Sequence, residues 1–374
     1  MSIKFIDLNS QQLRLKDEIN SGIQSVLKHG QYILGPEVRK FEKNLAKFGK
    51  SKYALGCANG TDAIVLPLLA WEIGPGDAVF CPSFTYCATA EAIANTGATP
   101  VFIDVHRRTY NIDPESLERA INEVKKNRQL VPRAVIAVDL FGQSANYPIL
   151  SAIAKSYDLK LIADSAQGFG TTLKGKHPLH WADITTTSFF PAKPLGCYGD
   201  GGAILTNDEN LAIRIESLRF HGKGVEKYDN THVGLNSRLD TLQAAILLPK
   251  LKIFSEEINV RNFIANRYID GLKDHVSCLP KIMNGVISTW AQFTIEVTDP
   301  ELFARRLKEK GIPTARYYPK PVHQQSAYSH FPIEGKKLLN TEDCSNHTIS
   351  LPMHPYLDNR TQDIIIEIVQ KAVK

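Results

Sequence analysis

The chain has 374 residues, which predicts two domains or one large domain with an appendage, since a domain usually holds about 100–200 residues. Hydrophobic residues make up 43% and charged residues 22%, the composition of an ordinary globular protein with an apolar core. The net charge is only +5, and the Lys and Arg residues form no dense block. These values disfavour nucleic-acid binding and favour anionic small molecules as ligands.

Cysteine usage and hydropathy narrow the class of protein further. The six cysteines form no CxxC pair and no Cys/His spacing typical of a zinc site, so we predict free thiols and no metal centre. Residues 1–12 carry no apolar run of signal-peptide length, and no stretch of 18 apolar residues occurs. We therefore expect a cytoplasmic enzyme that does not span a membrane.

Helix and strand patterns alternate through the first two-thirds of the chain. Helical periodicity covers residues 11–29 and 36–48, and a further helix is predicted to begin at Thr61. Short apolar strand candidates follow at 78–81, 100–105, 134–138, 159–163 and 184–189, with helical stretches at 89–95, 114–124 and 147–156. This alternation predicts an α/β fold with a mostly parallel central sheet covered by helices.

The pattern changes from about residue 240. A long helical stretch, 239–266, contains Pro249 and is followed by a strand candidate at 290–297, a helix after Pro300 and a last helix at 359–373. This succession indicates a smaller α+β unit. We predict a large α/β domain with an N-terminal arm at residues 1–248 and a small C-terminal α+β domain at residues 249–374.

Two glycine-containing segments resemble nucleotide-binding loops without matching them. Residues 170–176 fit the start of a phosphate loop, but His177 stands where a Ser or Thr would hold magnesium, so we predict a β-turn over Gly175. The segment 196–202 is not GxGxxG and leads into a strand candidate at 203–206. Neither a phosphate loop nor a dinucleotide fingerprint is predicted.

The residues that follow the predicted strands suit pyridoxal phosphate (PLP), which needs a lysine, an acid for its ring nitrogen, phosphate donors and a flat partner. Lys193 lies between two prolines after a strand candidate, and its aldehyde-binding role competes with that of an ordinary loop lysine. Asp164 ends another strand candidate, where ligands bind in open α/β sheets, although it would also suit a helix N-cap. Gln167, three residues on, would reach the ring oxygen.

The phosphate and the ring face have candidates too. Gly60 and Thr61 stand at a predicted helix start, where N–H groups and the helix dipole favour an anion, and Ser188 offers a hydroxyl. Tyr86 would stack on the ring. Phe84 competes for that role, although an aromatic at such a position is usually core.

Together these segments resemble the DegT/DnrJ/EryC1/StrS family of nucleotide-sugar aminotransferases. The matching stretches are Phe5-Ile-Asp-Leu, Gly35-Pro-Glu-Val, Ala58-Asn-Gly-Thr-Asp-Ala63, Pro82 to Ala90, Asp164-Ser-Ala-Gln167, Ser188 to Gly196, Gly199-Asp-Gly-Gly-Ala203 and Asn236-Ser-Arg-Leu-Asp240. They run over nearly the whole chain. Two small departures are Pro194, where many members have Asn, and Ser165, where many have Ala.

The resemblance implies a PLP-dependent transferase of fold type I, a homodimer with active sites at the subunit interface. It implies a Schiff base on Lys193, a ring-nitrogen contact from Asp164 and a ring-oxygen contact from Gln167. The other implied cofactor contacts are Gly60, Thr61 and Ser188 to the phosphate, Tyr86 to the ring, and Asn236 to the phosphate of the neighbouring subunit.

Within the family the chain is most similar to 3-aminotransferases of UDP-2-acetamido-2-deoxy-3-oxo-glucuronate, through residues 30–38, 191–199 and 236–250. The implied reaction moves an amino group from glutamate to that sugar, for surface polysaccharide such as the O-antigen of lipopolysaccharide. Arg238 or Arg316 would bind the uronate carboxylate. Tyr317 and Tyr318 are the other substrate candidates, and they stand where the subgroup is expected to have a His-Tyr pair.

Three other readings remain open at this point. The first is that the acceptor is another nucleotide-linked 3- or 4-keto-6-deoxy sugar. Some relatives are sugar dehydratases that carry His in place of the lysine, which Lys193 argues against. A PLP-binding regulatory protein without turnover is the third, and absorbance that bleaches with glutamate would separate it from a transaminase.

Overall fold

The computed structural model describes residues 3–226 and 228–373. The elements in chain order are α1 (Leu8–Arg14), α2 (Lys16–His29), α3 (Pro36–Gly49), β1 (Tyr53–Cys57), α4 (Gly60–Ala70), β2 (Asp77–Pro82), α5 (Ala88–Asn95), β3 (Thr99–Ile103), α6 (Pro114–Asn127), β4 (Val131–Val138), α7 (Tyr147–Ser156), β5 (Lys160–Asp164), β6 (Thr172–Leu173), β7 (Ile184–Ser188), β8 (Gly202–Thr206), α8 (Glu209–Leu218), α9 (Thr241–Leu272), β9 (Val286–Ile287), β10 (Phe293–Glu296), α10 (Pro300–Glu309), α11 (Leu339–His347), β11 (Thr348–Leu351) and α12 (Asn359–Ala372). Short 3₁₀ turns lie at Leu140–Gly142, Pro178–His180 and Val322–Gln324.

A seven-stranded sheet forms the centre, in the order β1-β8-β7-β5-β4-β2-β3. Strand β8 runs antiparallel to both of its neighbours, and the other pairs are parallel. The carboxyl ends of β4, β5 and β7 therefore meet at one edge, with Val138 beside Asp164 in the register. This edge is where an open α/β sheet places its ligands.

Helices cover both faces of the sheet. Val79 and Cys81 of β2 pack into a cluster with α4, α5 and α8, whereas Ala78 and Phe80 pack into a second cluster with α6 and α7. Alternate residues of one strand thus enter opposite layers, as the two-residue period of a strand requires. The predicted α/β class with a mostly parallel sheet is confirmed.

Most predicted elements are present with shifted ends, and some were missed. The predicted helix 11–29 is two helices, because the backbone leaves helical geometry at Leu15. Helix α4 begins at Gly60, one residue before the predicted Thr61, since Asn59 is its N-cap. The short strand β1 and the elements α8, α11 and β11 had no prediction.

Helix α9 is continuous through Pro249 and through the predicted domain boundary at 248/249. Its first part packs on α2 and α3, whereas Ile264, Tyr268 and Leu272 belong to the C-terminal core with β10, β11 and α12. The division into two domains stays a prediction. Of the described helices, none is long and apolar enough to cross a membrane.

The predicted turn over Gly175 is confirmed. Leu173 and Lys176 exchange two backbone hydrogen bonds, at 2.9 and 3.0 Å, across Lys174 and Gly175. Both central residues have positive φ, +50° and +73°, as a two-residue hairpin turn requires.

Gly142 offers a test of how the C-terminal unit is held to the sheet. Its φ is +100°, and an added Cβ would lie 2.6 Å from the Trp290 nitrogen. We expect Gly142→Ala to lower the free energy of unfolding by roughly 3 kcal/mol, because left-handed strain of about 1–2 kcal/mol adds to overpacking of similar size. Urea denaturation measures the change.

Gly175→Ala is the matched control. Its φ is +73°, but nothing lies within 4 Å of the added Cβ, so only the strain remains. Equal losses of unfolding free energy in the two variants would show that the close approach of the Trp290 backbone does not restrict position 142.

Candidate active site

A cleft of about 460 Å³ opens at the carboxyl edge of the sheet. Most of the sequence-predicted site residues line it together: Gly60, Thr61, Tyr86, Asp164, Gln167, Ser188, Lys193, Tyr317 and Tyr318. Three others, Asn236, Arg238 and Arg316, lie outside the lining of this cleft, although all are among the described residues.

Asp164 is the buried acid of the cleft, with 5% of its surface exposed. One carboxylate oxygen accepts from the Ala166 N–H at 3.1 Å and the other from the Thr89 hydroxyl at 3.3 Å. The helix N-cap considered for Asp164 is wrong, because residues 166–170 form turns and no helix begins there, although the carboxylate does bind a backbone N–H. Burial raises its pKa, and the Ala166 N–H and the Lys193 charge oppose that rise.

Lys193 stands on a loop that closes on itself. Its N–H donates to the Phe190 carbonyl at 2.8 Å, and the Cys197 N–H donates to the Phe189 carbonyl at 2.8 Å. The Lys250 ammonium donates to the Gly196 carbonyl of the same loop at 2.6 Å. Burial lowers the pKa of Lys193 more than the Asp164 charge raises it, so its neutral form is reached at a lower pH than in an exposed lysine.

Gln167 has a defined orientation. Its Oε1 accepts from the Phe141 N–H at 2.7 Å, and its Nε2 donates to the Tyr318 hydroxyl at 2.9 Å. Because a backbone N–H can only donate, the amide group of Gln167 must present its nitrogen to the cleft.

The N-terminus of α4 forms one end of the cleft. The Asn59 side chain caps the Asp62 N–H at 2.8 Å, and the N–H groups of Gly60 and Thr61 lie in the first turn, where helices lack internal acceptors. A Cβ on Gly60 would lie 2.6 Å from that of Ser188. The helix start and β7 thus approach so closely that only glycine fits.

The two aromatic candidates for the ring face lie in different environments. Tyr86 lines the cleft with 57% of its surface exposed, and its ring centre lies 6.1 Å from that of Tyr318. Phe84 is fully buried against Tyr110 and Phe141. Phe84 therefore belongs to the core, and Tyr86 is the aromatic at the cleft.

Asn236 and Arg238 form a surface pair. Their side chains project to one side, as the extended loop predicts, and the Arg238 guanidinium donates to Asn236 Oδ1. The same guanidinium lies 4.6 Å from the centre of the Phe220 ring. Ser237 points inward and accepts from the Ala58 N–H at 3.1 Å.

Arg316 binds groups that lie outside the cleft. Its guanidinium donates to the Ser345 carbonyl at 2.6 Å and lies 3.6 Å from the Glu301 carboxylate. These contacts tie it to α10 and α11, whereas the neighbouring Tyr317 and Tyr318 reach the cleft.

Sequence reasoning missed several residues of the site. Thr89 binds Asp164, Asp200 and Ile6 line the cleft, and Asp139 is buried below it. Asp139 follows β4 just as Asp164 ends β5, so the strand-end rule applied to every strand would have found it. The others come from distant segments and carry no local pattern.

Comparison with known proteins agrees with this geometry. A model of the DegT/DnrJ/EryC1/StrS aminotransferase family matches residues 13–370, and the chain belongs to that family. It is 49% identical over 363 residues to the UDP-2-acetamido-2-deoxy-3-oxo-D-glucuronate aminotransferase of Pseudomonas aeruginosa, covering 97% of this chain and 98% of that protein. It is 38% identical to a pleiotropic regulatory protein of Geobacillus stearothermophilus, with 98% and 97% covered.

Solved structures place the fold in the same family. A DegT DnrJ EryC1 StrS aminotransferase from Brucella abortus superposes with a TM-score of 0.97 at 46% identity, covering 99% of both chains. NtdA of Bacillus subtilis, solved with its cofactor PMP, superposes at 0.87 with 31% identity, covering 99% of this chain and 83% of that one.

The protein is a PLP-dependent aminotransferase, and the residues of its cleft fit PLP. A dry carboxylate suits a protonated ring nitrogen, an amine of lowered pKa suits an aldehyde, and a helix N-terminus pressed against a hydroxyl suits a phosphate.

The lowered pKa of Lys193 leads to a pH prediction. In protein without cofactor, Lys193 should react with an amine-directed reagent at lower pH than the exposed lysines of the chain, because burial favours its neutral form. Asp164→Asn removes the charge that raises this pKa, so the onset of labelling should move to still lower pH. Mass spectrometry of labelled peptides across pH measures both.

Asp183→Asn is the matched control. Its carboxylate accepts from the Leu161 N–H at 2.8 Å, near the start of β5 and at the opposite edge of the sheet. The labelling curve of Lys193 should not move in this variant. A shift to higher pH in Asp164→Asn would contradict the electrostatic pairing of the two groups.

Proposed function

We propose that this aminotransferase moves the amino group of glutamate to C3 of UDP-2-acetamido-2-deoxy-3-oxo-glucuronate. The observation that carries the proposal is the 49% identity with the Pseudomonas aeruginosa enzyme of that name, spread over 97% of this chain and 98% of that protein. The regulatory reading is disfavoured because the lysine, the acid and the anion-binding helix start all meet in one cleft.

In this proposal each cleft residue holds one part of the cofactor. Lys193 makes the covalent link, Asp164 binds the ring nitrogen, and Gln167 Nε2 binds the ring oxygen. The phosphate lies at Gly60, Thr61 and Ser188, and Tyr86 covers the ring. When bound, PLP carries the amino group between substrates and withdraws electrons from the carbon that loses its proton.

Lys193 has a second role once the donor has displaced it. Its Nζ would take the proton from Cα of glutamate and return it, on the same face, to the carbon at the other end of the transferred nitrogen, and these steps would run in reverse on the sugar. The lowered pKa of Lys193 supports this role, because only the neutral amine can accept a proton. Asp164 remains charged opposite a cation and so preserves the electron demand of the ring.

Charge balance supports a shared active site. Of the described residues that line the cleft, Lys193 is the one Lys or Arg, whereas Asp164 and Asp200 are acids. The carboxylates of glutamate and of the uronate favour cationic partners, and Lys193 is already assigned to the cofactor. We therefore propose that a second copy of the chain supplies them, in a homodimer.

The surface around Arg238 is suited to be that second copy's contribution. Val225 and Val233 are almost fully exposed, with relative exposures of 103% and 96%, and Val225 lines an open groove of about 710 Å³ along α8. Arg238 and Asn236 lie next to this segment, outside their own cleft. Exposed apolar residues beside polar side chains are typical of an interface.

The uronate carboxylate is assigned to Arg238 of the second copy. Arg316 is the weaker candidate, because main-chain carbonyls already hold its guanidinium. Tyr317 and Tyr318 of the first copy would contact the sugar from the cleft wall. If a neutral 6-deoxy sugar is instead the acceptor, the enzyme has no need of this arginine.

We further propose that the enzyme acts in the cytoplasm and that its product serves a surface polysaccharide such as the O-antigen of lipopolysaccharide. All six cysteines are free thiols, which suits a reducing compartment. A nucleotide-linked amino sugar acid is a building block for such polymers.

Lys193→Ala tests the reaction itself. The variant should fold, lose covalent attachment of PLP and lose turnover, because no other amine lines the cleft among the described residues. Glutamate should bleach the visible absorbance of the wild-type enzyme but not that of the variant, which lacks the base for the proton transfer. Lys52→Ala, at an exposed site, is the control. Wild-type activity in Lys193→Ala would contradict the mechanism.

Arg238→Ala tests the substrate. It should raise KM for the 3-oxo-uronate by roughly tenfold or more, the cost of losing a charged hydrogen bond, and leave KM for glutamate nearly unchanged. Steady-state assays of both half-reactions measure the split. Equal effects on both would indicate a structural or cofactor role.

Mixed dimers and a substrate panel complete the test. One site of a Lys193→Ala and Arg238→Ala heterodimer regains both native residues, so mixing should restore uronate turnover at the wild-type KM, which neither homodimer has. Failure to restore it would refute the shared site. A wild-type preference for neutral 6-deoxy sugars would refute the uronate assignment.

A further inference from the structure

A second buried carboxylate lies below the cleft, on the turn that follows β4. Asp139 has no exposed surface. One carboxylate oxygen accepts from the Ala145 N–H at 2.9 Å and the Tyr147 hydroxyl at 2.8 Å, and the other accepts from the Ser165 hydroxyl at 2.5 Å. Three donors therefore satisfy this carboxylate in the core, where burying a carboxylate without partners would cost much more free energy.

This turn reaches both groups assigned to the cofactor ring. The Asp139 N–H donates to the Asp164 carbonyl at 2.9 Å, and Ser165, which holds the Asp139 carboxylate, is the next residue after Asp164. Two residues further along the turn, the Phe141 N–H fixes Gln167 Oε1 at 2.7 Å.

The packing leaves this loop no freedom to move relative to Asp139. A Cβ on Gly168, which follows Gln167, would lie 2.3 Å from the Asp139 Cβ. The Thr289 hydroxyl also donates to the Gln167 carbonyl at 3.0 Å. The segment 164–168 is therefore pressed against the turn by sterics and fixed to it by hydrogen bonds.

We propose that Asp139 is a positioning residue. Through Ser165, and through the turn that begins at Asp139, it holds Asp164 and Gln167 in the geometry that binds the cofactor ring. The inference rests on the proposed ring contacts of those two residues. Asp139 itself touches no substrate or cofactor. The simpler rival is that Asp139 only anchors the start of α7 through Ala145 and Tyr147.

Ser165→Ala separates the two readings, because it removes the link toward Asp164 and leaves the α7 contacts intact. We expect PLP to bind the cofactor-free protein about tenfold more weakly, the usual effect of losing a hydrogen bond to a charged group. Absorbance titration with PLP measures the dissociation constant. Asp139→Asn keeps the volume of the side chain and should weaken binding by a similar factor.

Double variants test whether Asp139 and Ser165 affect PLP binding through Asp164. Ser165→Ala combined with Asp139→Asn should weaken PLP binding no more than either change alone, since both remove one contact. In an Asp164→Asn background, Ser165→Ala should cost less than about threefold. A purely structural role would produce the full tenfold loss in both backgrounds.

Ser151→Ala is the matched control for a lost buried hydroxyl. Ser151 lies on α7, has 6% of its surface exposed and donates to the Trp181 carbonyl at 3.0 Å, away from the cleft. Its PLP affinity should equal that of the wild type. If Asp139→Asn fails to fold, Ser165→Ala and its Asp164→Asn combination still give the answer.

Two outcomes would overturn the inference: wild-type PLP affinity in Ser165→Ala, or equal losses with and without Asp164. A third outcome concerns the proposed function instead. If Asp164→Asn alone leaves both PLP affinity and turnover unchanged, Asp164 is not the ring partner, and the assignment of the cleft fails before that of Asp139.

Discussion

The site depends on an acid that is almost completely buried at the edge of the central sheet. Asp164 lies at the end of a central strand with 5% of its surface exposed, and burial alone raises its pKa. Its charge is supported by a backbone N–H, a threonine hydroxyl and the amine of Lys193. The parallel sheet makes this possible, because three strand ends bring these groups to one edge and apolar helices cover both faces.

The part of the fold that sequence could predict is the part governed by local pattern. Apolar runs bounded by turn residues located the central strands, and their alternation with helices implied the parallel sheet. Residues directly after those strands, Asp164 and Lys193 above all, could then be placed at one edge without a structure. Gly60 and Thr61 followed from the cap signal of a helix start, which the Asn59 cap moves by one residue.

What could not be predicted depends on contacts between distant segments. Strand β11 exists because it pairs with β10, some fifty residues earlier in the chain, and its own sequence is not distinctive. Thr89 reaches Asp164 across 75 positions. The positions of Arg238 and Arg316 relative to the cleft had no local signal either, since both are arginines on extended segments. Only the structure shows that one lies at an exposed surface and the other is bound by main-chain carbonyls.

Helix α9 has a consequence for how far the chain can be divided. At one end its Lys250 supports the loop of Lys193, and at the other its Arg261 binds the carbonyls of Trp290 and Met353 at 3.1 and 3.4 Å. A chain cut at residue 248 would lose most of this helix and expose the buried faces of both units. We therefore expect that a fragment ending at residue 248 would not fold alone, since it would also lack Lys250, which binds the loop that carries Lys193.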